Sequence, residues 1–102
     1  MDLLNNLKNL QLFDTYARLL TNKQRNCLND YLVENLTLSE ISQNYGISRQ
    51  AVNFNIKESI KLLNVYEEKL GICKKYDTIN SILREKQIDK EVAESIISIL
   101  KE

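Results

Sequence analysis

The chain has 102 residues, of which 43 % are apolar, enough for one small domain with a core. Fourteen basic and fourteen acidic side chains cancel, which argues against strong nonspecific attraction to nucleic acid, since that attraction rests on neutralising phosphates. Histidine is absent and the two cysteines, Cys27 and Cys73, are widely separated, a pattern that speaks against structural zinc and favours two buried thiols in a reducing compartment.

Proline is absent and glycine occurs twice, so little interrupts helix-forming runs. No alternating β-branched run is bounded by turn pairs, and the expected class is all-α. The opening MDLLNNLKNL lacks the basic and apolar regions of a signal peptide. No stretch approaches the roughly 20 apolar residues that span a bilayer. A cytoplasmic protein that does not enter the membrane is expected.

Residues 1–6 are expected to fray. Leu7, Leu10, Phe13, Ala17 and Leu20 form one helical stripe, which Leu3, Leu12, Tyr16 and Leu19 widen. Thr21 and Gln24 make a capping box for a second helix over 22–34. That helix should bury Cys27, Leu28, Tyr31 and Leu32 and turn Lys23, Arg25, Asn29 and Asp30 outward. Asn35 can close it in left-handed geometry.

The next stretch, TLSEISQNYGISRQAVNFNIKESIKLL, organises the chain. Thr37 and Glu40 form a second capping box. Leu38 and Ile41 start an apolar face that Tyr45 continues. Gly46 can take the positive φ at which a helix stops. Ile47 can pack under the turn, and Ser48 can cap a helix opening at Arg49. Ser42 stands four residues before the glycine, where two helices cross closely. Val52, six residues after it, can anchor the second helix, with Ile56, Ile60 and Leu63 on the same face. This is the order of a helix-turn-helix. Burying that face leaves Arg49, Gln50, Asn53, Phe54 and Lys57 outward, where a recognition helix meets base edges and phosphates. Arg49 would reach a phosphate or a guanine edge, Gln50 and Asn53 would pair with adenine, and Lys57 and Lys61 would hold phosphates.

Beyond Leu63 the stripe continues through Tyr66, Leu70, Cys73, Tyr76, Ile79 and Leu83 nearly in phase. Gly71 breaks the composition but not the register, at about 1 kcal/mol against alanine. One helix over 49–85, about 55 Å long and kinked at Gly71 if anywhere, is preferred to two helices. A second stripe of Leu62, Val65, Ile72 and Ile82 needs cover. A homodimer through the long helix would supply it; packing against the first helix is the alternative. Asp89 is placed to cap a last helix carrying Val92, Ala93, Ile96, Ile97, Ile99 and Leu100, folded back through residues 86–88. The chain thus divides into a helix-turn-helix domain over 1–64, akin to a winged-helix unit without its wing, and a C-terminal helical extension over 65–102.

Charge weighs on function. From Thr37 to Asn64, Arg49, Lys57 and Lys61 exceed Glu40 and Glu58 by one. In the tail, Asp89, Glu91, Glu94 and Glu102 outnumber Lys90 and Lys101. Nucleic-acid affinity should therefore be modest or depend on dimerisation. Without histidine, a glycine-rich phosphate loop or a metal-ligand cluster, no catalytic residue, cofactor, metal or small-molecule substrate is expected. Glu67 and Glu68 read as a solvated face rather than an acid/base pair.

The run LFDTYARLLTNKQRNCLNDYLVENLTLSEISQNYGISRQAVNFNIKESIKLLNVYEEKL, residues 12–70, resembles the YlxM family of small bacterial proteins. LLTNKQRN (19–26), GISRQAV (46–52), NIK (55–57) and YEEKL (66–70) carry the resemblance. The central part is also similar to region 4 of bacterial sigma factors. The resemblance implies a helix-turn-helix regulator, or a component of the signal recognition particle pathway. It places Ser48, Arg49, Gln50, Asn53 and Lys57 in a recognition segment. DNA or RNA and components of the particle are the implied partners. A non-enzymatic adaptor, using the same fold to hold protein or RNA, is the competing function. After Leu70 the resemblance fades, and the acidic C-terminal segment reads as particular to this chain.

Overall fold

The structure, a computed structural model, describes residues 3–101. They form α1 (Leu3–Tyr16), α2 (Asn22–Leu32), α3 (Leu38–Tyr45), α4 (Arg49–Leu70), α5 (Ile72–Glu85) and α6 (Lys90–Leu100). No strand occurs among the described residues. The fold is all-α and contains the expected helix-turn-helix as α3 and α4.

The short elements follow from local chemistry. Both capping boxes form: Thr21 and Thr37 accept from the amides of Gln24 and Glu40, whose side chains accept from the threonine amides in return. Two orphan amides are thereby satisfied at each helix start. Asn35 closes the α2 turn at φ 56°. Gly46 ends α3 at φ 65°, a conformation that costs a residue with a Cβ about 1–2 kcal/mol.

Helix α4 is the packing centre, with α1, α2 and α3 all lying against it. Val52, Ile56 and Leu63 are buried on its inner face, with the small Ser59 between them. They meet Leu12, Phe13, Tyr16 and Leu20 from the first segment, Cys27, Leu28 and Leu32 from α2, and Ile41 from α3. Each such apolar side chain contributes about 1.5–3 kcal/mol by leaving water. Both cysteines are free and buried.

Several expectations are corrected. Met1 and Asp2 lie outside the described residues, and residues 3–6 already belong to α1 rather than fraying. α1 ends at Tyr16, and a 3-10 turn over Ala17–Leu19 leads to an extended Leu20. Its buried face centres on Leu12, Phe13, Tyr16 and Leu20, leaving Leu7 and Leu19 exposed. Tyr45 does not continue the buried face of α3. It is exposed, and its hydroxyl donates to Oδ2 of Asp30 at 2.7 Å, tying α3 to α2. Asp89 precedes α6 at the cap position but its side chain makes no cap hydrogen bond.

The largest correction concerns the long helix. It is two helices, because Gly71 adopts φ 62° and ends α4. The whole molecule measures 51 Å along its longest axis, shorter than the expected continuous helix. After the break α5 packs on α1. Leu62 and Ile72 are covered by the chain's own core, so no seam along one continuous helix exists. Past the break, a group of exposed apolar side chains runs along α5, α6 and the turn between them: Ile82, Ile88, Val92, Ile96 and Ile99.

Candidate nucleic-acid interface

The site is the outer face of α4, and the turn before it fixes its direction. Ser42 Oγ donates to the carbonyl of Ile47 at 2.5 Å, and the Ile47 amide donates to the Ser42 carbonyl at 3.2 Å. These bonds hold the turn closed around Gly46. Ser42 therefore ties the turn as well as allowing the helices to approach. Ser48 Oγ accepts from the Ala51 amide at 3.0 Å and caps α4. Ile47 packs against the core from above.

With Val52, Ile56, Ser59 and Leu63 buried, helical geometry sets what faces out. Gln50, Phe54, Lys57 and Lys61 are exposed along the opposite side. Phe54 lies about 170° around the helix from the midline of the buried set, and Lys61 shares that line. Arg49 is exposed at the start of the helix, beside the exposed cap Ser48. Asn53 sits on the flank, about 90° from the buried midline, and is half-buried. None of the seven expected residues is closed off by the protein's own chain. Gln50, Phe54, Lys57 and Lys61 share the outer face, Asn53 lies on its flank, and Ser48 and Arg49 stand at the open N-terminal end of α4, about 50° either side of the buried midline.

The exposed charges of α4 are Arg49, Lys57, Lys61 and Lys69 against Glu58 and Glu68, with the carboxylate of Glu68 in line with Gln50 near the far end of the helix. Guanidinium, ammonium and amide donors on a rigid helix suit phosphate oxygens and base-edge acceptors. Among the described residues no group of three or more metal-ligating side chains comes together. Among the described residues no helix is long and apolar enough to cross a membrane.

A family model described as "Putative helix-turn-helix protein, YlxM / p13 like" matches residues 3–102. The chain belongs to this family, UPF0122. The UPF0122 protein of Shouchella clausii is 46 % identical over 74 residues, covering 72 % of this chain and 68 % of the relative. That of Halalkalibacterium halodurans is 38 % identical over 92 residues, covering 87 % and 84 %. That of Oceanobacillus iheyensis is 43 % identical over 88 residues, covering 83 % and 84 %. The UPF0122 match runs past Leu70 to the end of the chain, so the C-terminal helices are part of the family's pattern and not particular to this protein.

Sequence reasoning missed one polar cluster that positions α4 and α5. Glu67, taken for a solvated carboxylate, is half-buried. Its Oε1 accepts from the Tyr16 hydroxyl at 2.5 Å and from the Cys73 amide at 3.0 Å, and its Oε2 accepts from the Lys74 amide at 3.2 Å. Tyr16 in turn accepts from the Ile72 amide at 3.1 Å. The last turn of one helix thus caps the first turn of the next, with a tyrosine from α1 closing the corner. Burial pushes the Glu67 carboxyl upward, but the donors from Tyr16, Cys73 and Lys74 outweigh it and hold the group below the usual range. The only sequence signal was a carboxylate four residues before a glycine.

Proposed function

We propose that this UPF0122 protein is a nucleic-acid-binding regulator without catalytic activity, and that duplex DNA is its ligand. The observation that carries this reading is the first half of α4, where exposed Arg49, Gln50, Lys57 and Lys61 outnumber the one carboxylate, Glu58, while the inner face is locked into the core. In this reading Gln50 and Arg49 meet base edges, Asn53 supports them from the flank, Lys57 and Lys61 hold phosphates, and Ser48 sets the start of the helix. Residues 1–64 act as the recognition unit and 65–102 as its extension.

The functional unit is read as a pair of identical chains. α6 lies against α5 with Ala93, Ile97 and Leu100 half-buried, but none of its side chains is fully buried, and an 11-residue helix has little stability of its own in water. Val92, Ile96 and Ile99 are 50 %, 38 % and 67 % exposed at helical spacing. With Ile82 and Ile88 they offer on the order of 400 Å² of apolar surface, close to the apolar share of a standard protein interface. A second copy presenting the same stripe would cover it across a two-fold axis. Two recognition helices would also compensate for the weak positive charge of one.

A second reading is an adaptor of the signal recognition particle that holds protein or RNA through the same face. Zero net charge and the exposed phenyl ring of Phe54 favour it. A salt titration separates the two. DNA selected from a random duplex pool should lose affinity steeply with salt, and Lys57→Ala should reduce the log–log slope by about 0.9. Binding to a protein partner with little salt response, and to no duplex, would support the adaptor.

A further inference from the structure

Phe54 is the most exposed large apolar side chain among the described residues, at 68 %. Nothing in the fold requires it, since it lies on the side of α4 farthest from the core. Gln50 stands one turn before it and Lys57 one turn after, both exposed. A helix seated in a major groove would bring its outward midline to the groove floor, with longer flanking side chains rising toward the phosphates. On that floor the one apolar group a base pair presents is the C5-methyl of thymine. The phenyl ring thus has one matching partner there, and the amide of Gln50 is spaced to pair with a neighbouring base.

We propose that Phe54 reads a thymine methyl group, making one thymine of the bound site a determinant of specificity. This rests on the DNA reading above and names the base feature that the face recognises. The ring contributes by excluding water from the methyl while Gln50 and the lysines fix the register of α4 in the groove.

The experiment replaces each thymine of the selected duplex, one at a time, by deoxyuridine. That change removes a methyl and leaves every base-pair hydrogen bond in place. At one thymine, or at a symmetric pair, the wild-type protein should lose about fourfold in affinity per methyl. Phe54→Ala should bind more weakly and should no longer distinguish thymine from deoxyuridine there, whereas Phe54→Leu should keep part of the preference. Because the ring is exposed, both variants should melt as the wild type does. Indifference of the wild-type protein to all deoxyuridine substitutions, with duplex binding intact, overturns the role of Phe54 alone. So does a methyl preference that survives in Phe54→Ala. Binding to no duplex, with single strands or a protein captured instead, overturns the DNA reading and this assignment together.

Discussion

Tyr16 and Glu67, 51 positions apart in sequence, share a 2.5 Å hydrogen bond that joins α1 to the corner between α4 and α5. The same carboxylate caps two amides of α5. Removing it leaves the part-buried Tyr16 hydroxyl and Cys73 amide without that acceptor, which costs about 1–3 kcal/mol. Glu67→Ala should therefore lower the free energy of unfolding in urea by that amount. Tyr16→Phe should cost less through the hydroxyl alone, and the two effects should not add, because they break one network.

The same bond makes stability depend on pH. Glu67 titrates below its ordinary value in the folded chain, so its contribution is complete above about pH 4.5 and lost as pH falls through the folded value. The stability gap between the wild type and Glu67→Gln should narrow on going from pH 6 to acid. Tyr16 is pushed up to about 12, first by burial and then by its bond to Glu67. Tyr45 is also pushed up to about 12, here chiefly by its bond to Asp30. Their contributions are present below about pH 10 and lost as pH rises through about 12. Absorbance titration of Tyr45→Phe should lack one late-titrating phenol.

At Gly71 an added Cβ would meet nothing within 4 Å, yet φ is 62°. The cost of Gly71→Ala is then conformational rather than steric, about 1–2 kcal/mol. Gly71→Asn should recover part of it, since asparagine tolerates the left-handed region. If Gly71→Ala were neutral in chemical denaturation, the corner would not be the break described.

These residues show what was legible in the sequence. The Thr21 and Thr37 capping boxes, the Gly46 turn and the Ser48 cap are written within four or five residues, and each forms as expected. The inward set Val52, Ile56 and Leu63 follows from a period of 3.6. The break at Gly71 was not legible, because the apolar stripe runs past it in register and glycine alone costs a helix only about 1 kcal/mol. The bonds at the corner join Tyr16 to Glu67 and to the Ile72 amide across more than 50 residues, which no local pattern contains. The inward set of α4 already puts Asn53 on the flank and Phe54 opposite the core; what the packing adds is that Ser59 is buried while Ile60 is half-buried.

On α6, Ile96 lies mid-stripe between Val92 and Ile99. Ile96→Glu should shift the chain to monomers in sedimentation equilibrium at micromolar concentrations where the wild type is dimeric. A wild type that stays monomeric throughout would remove the second copy from the account.

The most direct test of the central claim compares the wild type with Gln50→Ala and Lys57→Ala in fluorescence anisotropy on the selected duplex at fixed salt. Both side chains are exposed, so neither change should alter folding. The account predicts a loss of about 1–3 kcal/mol and relaxed base preference for Gln50→Ala, with a uniform loss across sequences for Lys57→Ala. Unchanged affinity in both would contradict it.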